Sequence, residues 1–269
     1  MPRVVLCGAM GRMGRAILGV LGDRPRGLVL SGAVESPEHP LLGRDAGDAA
    51  GQGTAGVAVT SDFPGAIAEG DVAIDFTLAA SSVRHARECA AAGKPIVIGS
   101  TGLSPAQTEE IRESARSVAC VLSPNMSVGV NLMFRVAADV ARVLGDDYDV
   151  EIVETHHRFK KDAPSGTAIK LADAVAGALG RDLRDVGVYG RHGTKGERSR
   201  REIGVFAVRA GDVVGEHTLV FGGIGERFEI THRAHSRDTF ARGSVRAAAW
   251  VIGKPPGLYD MGAVLEGRS

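Results

Sequence analysis

A first apolar run, residues 3–7, breaks straight into Gly8-Ala9-Met10-Gly11-Arg12-Met13-Gly14 and then into a stretch with a 3.6-residue period. Few folds are open to a chain that begins this way. Glycines at three-residue intervals let the backbone leave a strand, turn sharply and start a helix within a few residues. The new helix points unpaired N–H groups at the turn, where dinucleotide-binding folds hold a pyrophosphate. Glycine is abundant here, 37 of 269 residues, so three glycines alone would say little. The flanking strand and helix carry the argument.

The next strand, residues 28–34, ends at Glu35, 21 residues beyond Gly14. A carboxylate in that place accepts the hydroxyls of an adenosine ribose and repels a 2′-phosphate. Ser36 follows with no arginine or lysine beside it, so the sequence favours NADH and leaves NADPH possible, with Arg12 able to neutralise a phosphate. Residues 36–56 show little periodicity and read as a surface connection. Strands at 57–59, 71–77, 94–99 and 118–122 then alternate with helices near 63–68, 81–92 and 104–116, the last with Ser104 as cap and Pro105 at its first position. Short apolar strands alternating with helices predict an α/β fold, a Rossmann-like doubly wound parallel sheet whose ligand crosses the strands' C-terminal ends. Thr77, Gly99, Thr101 and Asn125 sit at such ends and are expected to line the nicotinamide side.

Beyond residue 128 the pattern changes. A helix at 128–143, a strand at 148–155 and a helix at 165–179 precede three strands, 201–210, 213–222 and 226–235, joined by short Gly/Asp turns. This predicts an α+β domain built on a mostly antiparallel, mixed sheet. A helix at 238–251 is expected to dock back on the first domain, with 263–265 as a last strand of its sheet. The expected domains are therefore 1–127 with 236–269, and 128–235. A sheet covered by helices on one side leaves its other side for a sister subunit.

Glu154 through Thr167 concentrates ionisable groups: His156 and His157, three fixed cations at Arg158, Lys160 and Lys161, and the acids Glu154 and Asp162. Adjacent histidines in an extended segment point to opposite sides, and cations beside them oppose a bound metal, so no metal site is expected. A histidine beside lysines suits proton transfer, and Lys160 suits the acid that protonates an atom left electron-rich by hydride delivery. The cations, with the amides of Gly166 and Thr167 after the Ser165 cap, suit substrate carboxylates. Residues 191–201, rich in Arg and Lys against one acid, read equally as a solvated loop or as a lid that gathers an anion.

Composition removes other classes. Zero formal charge and 4% aromatics leave neither a field nor a stacking platform for nucleic acid. No apolar run is long enough for a signal peptide or membrane span, so no membrane partner and a cytoplasmic location are expected. Cys7, Cys89 and Cys120 are isolated, which fits a reducing compartment, and Cys7 reads as a core residue.

The motifs together resemble the dihydrodipicolinate reductase (4-hydroxy-tetrahydrodipicolinate reductase) family of diaminopimelate and lysine biosynthesis. The resemblance rests on E-T-H-H-R-F-K-K-D-A-P-S-G-T-A at 154–168, G-A-M-G-R-M-G at 8–14, G-S-T-G at 99–102 and S-P-N-M-S-V-G-V-N at 123–131. G-E-H-T-L-V-F at 215–221, E-I-T-H-R-A-H-S-R at 229–237 and G-L-Y-D-M at 257–261 extend it over nearly the whole chain. It implies His156 as catalytic acid/base and Lys160 as proton donor. It further implies that His157, Lys160, Ser165, Gly166 and Thr167 contact a small cyclic dicarboxylate. The nucleotide would be held by Gly8, Ala9, Met10, Gly11, Arg12 and Met13, with Glu35, by Gly99, Ser100 and Thr101, and by Ser123, Pro124, Asn125 and Met126. A homotetramer formed through the substrate-domain sheets is also implied. Met10 stands where many members carry glycine. Two other classes stay open on residues alone: a dehydrogenase of another kind, for which Cys7 and Cys120 lack a nucleophile's setting, and an NADH-binding sensor without turnover.

Overall fold

The computed structural model describes residues 1–23, 25–193 and 196–267. Thr194 and Lys195, part of the basic segment singled out above, and residues 268–269 lie outside the described residues. Two compact units emerge, Met1–Val128 with Arg237–Ser269, and Gly129–Ser236.

In the first unit β1 (Arg3–Cys7), β2 (Val29–Val34), β3 (Val59–Thr60), β4 (Val72–Asp75), β5 (Ile96–Ile98) and β6 (Ala119–Leu122) are joined by β12 (Gly257–Tyr259). They form a seven-stranded sheet in the order β12-β6-β5-β4-β1-β2-β3, with every pairing parallel. The order reverses at β1, so the crevice between β1 and β4 is the switch point at which such sheets bind ligands. Strand alternation sorts the core into two layers. Val4, Leu6, Val72, Ile74, Val97 and Val121 face α1 (Arg12–Gly22), α9 (Asp238–Val251) and α10 (Met261–Glu266). Val5, Cys7, Ala73, Ile96, Ile98 and Cys120 face α3 (Phe63–Glu69), α4 (Ala79–Ala92) and α5 (Pro105–Ser114). Each large side chain buried in these layers contributes about 1.5–3 kcal/mol. All three cysteines are free and buried in this unit.

Local chemistry sets the helix starts. Ser104 and Gln107 close a capping box on α5, and Pro105 occupies its first turn. The stretch 36–56 is not featureless: Asp45 caps α2 (Ala46–Ala50), and its carboxylate also accepts the N–H groups of Ala55, Gly56 and Val57. Those backbone donors, Ala55 foremost, hold its pKa down at about 2. The strand expected at 263–265 is a helix, α10. Asp260 caps it by accepting the Ala263 N–H at 3.1 Å, and the strand that joins the sheet is β12, a few residues earlier. Three apolar residues carry no period of their own, and the cap decides.

The second unit holds α6 (Val128–Leu144, its first residue in the first unit), β7 (Asp149–His156), α7 (Gly166–Ala178), α8 (Leu183–Val186), β8 (Gly187–Val188), β9 (Ile203–Arg209), β10 (Gly215–Gly222) and β11 (Arg227–Ala234). Its five strands run in the order β11-β10-β7-β9-β8. β10 is antiparallel to β11 and β7, whereas β7 and β8 are both parallel to β9. The sheet is mixed, and β9 and β10 do not form the hairpin that their short connection suggests. The turn between them bonds to the end of β7 instead, Ala210 N–H to the His156 carbonyl at 2.9 Å and Arg158 N–H to the Gly211 carbonyl at 3.1 Å. One face is covered: Val130, Met133, Phe134 and Ala137 of α6, and Leu171, Ala172 and Val175 of α7, close over Val150, Ile152, Ile203, Val205, Leu219 and Phe221. Among the described residues no helix is long and apolar enough to cross a membrane.

Candidate active site

The first-unit site grows out of the β1–α1 turn. Gly8 has φ +75°, and a Cβ there would lie 2.8 Å from the Phe76 carbonyl oxygen; a Cβ on Gly14 would lie 2.1 Å from the Gly8 oxygen. Only glycine lets β1, the turn and α1 come this close. Gly11 is the N-cap residue and offers no side chain, so the first-turn amides of α1 face the turn. Glu35, past the end of β2, accepts the Met10 N–H through Oε1 at 2.7 Å, which fixes the carboxylate beside the turn.

Two cavities follow the strand ends. One of about 450 Å³ is lined by Arg12, Met13, Ser100, Thr101, Pro124, Asn125 and Met126 among others. The other, of about 510 Å³, is lined by Gly8, Met10, Glu35 and Ser36. Gly11, Phe76 and Thr77 line both. Thr77, Gly99, Thr101 and Asn125, expected on the nicotinamide side, all line the first cavity. Ala9 and Ser123 are fully buried and line neither; the Ser123 hydroxyl instead donates to the Asn125 carbonyl at 2.9 Å and shapes that loop. A glycine cradle that any Cβ would fill, open helix amides and a fixed carboxylate in one of two cavities that share Gly11, Phe76 and Thr77 fit a dinucleotide.

Sequence reading passed over several residues here. His39 and Arg84 line the Glu35 cavity, placing an imidazole and a guanidinium where only an acid and a serine were expected. Arg84 lies on α4, distant in sequence, and no local signal ties it to Glu35. The Phe76 ring covers Gly99, where a Cβ would fall 2.3 Å from it. Cys7, Asp75 and His85 come within 4.8 Å of one another. Burial, followed by the Asp75 charge, pushes the Cys7 thiol well up, so it stays a protonated core residue.

In the second unit, strand register assembles the site. Alternation puts Glu154 and His156 of β7 on the helix-covered face, with His217 of β10 opposite Glu154 and Arg209 of β9 opposite His156. Glu154 is fully buried. It accepts the two terminal Arg209 guanidinium nitrogens, at 2.8 and 2.9 Å, the Ser165 N–H at 2.9 Å, and His156 Nδ1 at 2.5 Å. Burial alone would raise the Glu154 pKa, but Arg209, His156 and the Ser165 amide outweigh it and keep the carboxylate ionised. Nδ1 of His156 is thereby the protonated nitrogen, and Nε2 is left for chemistry. Burial, helped by the charges of Lys160 and Arg209, lowers the His156 pKa against the pull of Glu154, so the ring is neutral at pH 7.

The loop then turns: Lys160 N–H donates to the His157 carbonyl at 3.1 Å, and Lys160 Nζ lies 2.9 Å from an Asp162 carboxylate oxygen. Arg209 also binds the Asp162 carbonyl at 2.6 Å, and the Ala163–Pro164 bond is cis. Ser165 caps α7 by accepting the Ala168 N–H, while its hydroxyl meets His217 Nε2 at 3.2 Å. Gly166 and Thr167 open the helix just after it. His217 stands edge-on to His156, ring centres 5.3 Å apart, and burial pushes its pKa down to about 4. Arg209 and His217 were absent from the sequence reading, since only the register reveals them. In the basic segment, Arg191 pairs with Glu151 and Glu202, and Arg198 with Asp149 and Glu151, so these two cations are held against the sheet.

The family models of dihydrodipicolinate reductase match this chain twice, the N-terminal one over residues 2–126 and the C-terminal one over 129–265. The chain belongs to the dihydrodipicolinate reductase family. It is 55% identical over 269 residues to the 4-hydroxy-tetrahydrodipicolinate reductase of Syntrophus aciditrophicus, covering 100% of both chains. It is 57% identical over 265 residues to that of Anaeromyxobacter dehalogenans, covering 98% of each. Among solved structures, the dipicolinate-bound dihydrodipicolinate reductase of Paenisporosarcina sp. TG-14 shares the fold, with a TM-score of 0.75 at 24% identity and 97% of each chain covered. This reductase family thus accounts for both units.

Proposed function

We propose that the protein reduces 4-hydroxy-tetrahydrodipicolinate to tetrahydrodipicolinate and water at the expense of NADH, with NADPH as a weaker alternative. The single observation that carries the reading is the Glu154-anchored loop: a neutral, oriented histidine and a lysine beside an exposed helix start, in a chain that also holds a dinucleotide cradle. A bound reduced nicotinamide supplies a hydride to the ring carbon left electrophilic, in conjugation with the ring imine, once the 4-hydroxyl departs.

The chain's own residues do the rest. Gly8, Gly11 and the α1 amides hold the pyrophosphate, and Glu35 takes the adenosine ribose. Ala9, Met10, Arg12 and Met13 complete the turn, Gly99, Ser100, Thr101, Pro124, Asn125 and Met126 enclose the nicotinamide side, and Ser123 shapes the loop behind them. Glu35 with Ser36 disfavours a 2′-phosphate, while Arg84 and His39 on the same cavity give NADPH a foothold. His157, Lys160 and the amides of Gly166 and Thr167 bind the substrate carboxylates, and Ser165 sets those amides by capping the helix. Lys160 donates the proton that accompanies the hydride, and His156, presenting Nε2, exchanges it. The dicarboxylate assignment is supported by the dipicolinate in the relative named above.

The partly exposed Val153 and Val208 on the uncovered face of the second sheet support assembly through that face into a homotetramer, which light scattering on purified protein would test. Three unpaired buried thiols suit the cytoplasm. The reaction itself is tested by generating substrate in situ from pyruvate and aspartate semialdehyde with a synthase and following absorbance at 340 nm. Fast oxidation of NADH and slower oxidation of NADPH is the expected result. Equal rates would discard the coenzyme preference, and tight dinucleotide binding without turnover would put a sensor first.

A further inference from the structure

Asp75 ends β4 completely buried, between Cys7 of β1 and Ile98 of β5. Strand alternation turns it towards α4, where His85, also buried, places Nδ1 2.5 Å from Oδ2. The other oxygen, Oδ1, gathers four donors: Thr77 N–H at 2.9 Å, the Thr77 hydroxyl at 2.7 Å, the Ser82 hydroxyl at 2.9 Å and the Ser100 hydroxyl at 3.1 Å. Ser82 and Ser100 are themselves 2.7 Å apart. A buried carboxylate is costly unless paired and bonded, and a chain that needed only a filled core would place an apolar residue here. What the arrangement does accomplish is geometric. Thr77 belongs to the loop after β4 and Ser100 to the loop after β5, and both line the 450 Å³ cavity. The two loops are tied to one point beneath it.

We propose that Asp75, with His85 and Ser82, is a positioning residue for dinucleotide binding: it fixes the separation of the Thr77 and Ser100 loops on the nicotinamide side of the site. This rests on the reading of the first unit as the dinucleotide site. His85 holds Asp75 in one rotamer, and Ser82 orients the Ser100 hydroxyl without itself lining the cavity. The network works by pre-ordering the loops, so its removal is felt in affinity for the dinucleotide and not in affinity for the dicarboxylate.

The test compares wild type, Ser82→Ala, Asp75→Asn and, as a control in the same core layer, Val83→Ala. Dissociation constants for NADH are measured by fluorescence titration, KM values for both substrates by the coupled assay, and Tm by calorimetry. Ser82→Ala removes the hydroxyl that donates to Asp75 and touches Ser100, with a small volume change, so it keeps the design informative where Asp75→Asn fails to fold. The expected result is a roughly ten-fold weaker NADH Kd in Ser82→Ala, the worth of about one buried hydrogen bond, with the dicarboxylate KM unchanged. Val83→Ala is expected to lower Tm with its NADH Kd unmoved. A Ser82→Ala protein that loses Tm while binding NADH as wild type does would overturn the proposal. Failure of the wild type to bind NADH at all would overturn the dinucleotide reading and this inference with it.

Discussion

At the scale of single residues, the second-unit site is a problem in keeping charge where it is needed. Glu154 is held ionised in a buried place by Arg209, and it passes that constraint to His156 as a fixed tautomer. In the proposed reaction Lys160 is the proton donor, and Lys160→Ala is expected to lower kcat by about 10²–10⁴ with Tm little changed, as steady-state kinetics and a thermal melt would show. His217 gives a second prediction. Its folded pKa of about 4 lies below its usual 6.5, so the folded state resists a proton that the unfolded chain accepts. The stability it contributes is whole above about pH 6.5 and is lost as pH falls towards 4, amounting to about 3 kcal/mol. His217→Gln should therefore make the fall in Tm between pH 6.5 and 4 shallower, leaving the share due to His156 and His232, whose pKa values burial also lowers. The fall below Glu154's usual 4.5 should remain, since that depressed carboxylate loses its contribution only on protonation. An equally steep fall in the variant would remove His217 from the account.

At the scale of elements, much was legible because local rules and tertiary structure agree. The β1–α1 junction, the Ser104–Pro105 helix start and the Ser165 cap are each written within a few residues, and each stands as read. What escaped was long-range. The insertion of β7 between β9 and β10 depends on turn residues bonding to a distant strand, and the Arg209 and His217 contacts follow from that register. The polar network at Asp75 was hidden because one acid at the end of an apolar strand looks like a solvated terminus. Gly243 is another such case. In α9 it would pass for a weak helix former, yet a Cβ there would fall 1.8 Å from the Met126 carbonyl oxygen. The helix therefore lies directly against the loop that carries Asn125 and Met126. Gly243→Ala should cost about 1–3 kcal/mol of stability and raise the KM for the dinucleotide, because helix or loop must move. Unchanged KM in a destabilised variant would show that the loop does not yield.

At the scale of the whole molecule, the chain carries separate apolar cores for its two units, and the family's two domain models divide it near the same residue. The buried cysteines give that division an experimental use. Cys7, Cys89 and Cys120, together with the lone Trp250, all belong to the first unit. Thiol labelling and tryptophan emission therefore report the opening of one half of the chain and are blind to the other. With dinucleotide at about 100 times its dissociation constant, alkylation of the native protein should slow roughly 100-fold, since only closed molecules bind. Tetrahydrodipicolinate analogues alone should leave the alkylation rate unchanged; if they slow it as much, the halves open as one cooperative block. The protein was built without any label, yet its own sulfur atoms and single indole make it a gauge of how far its two halves share one melting transition.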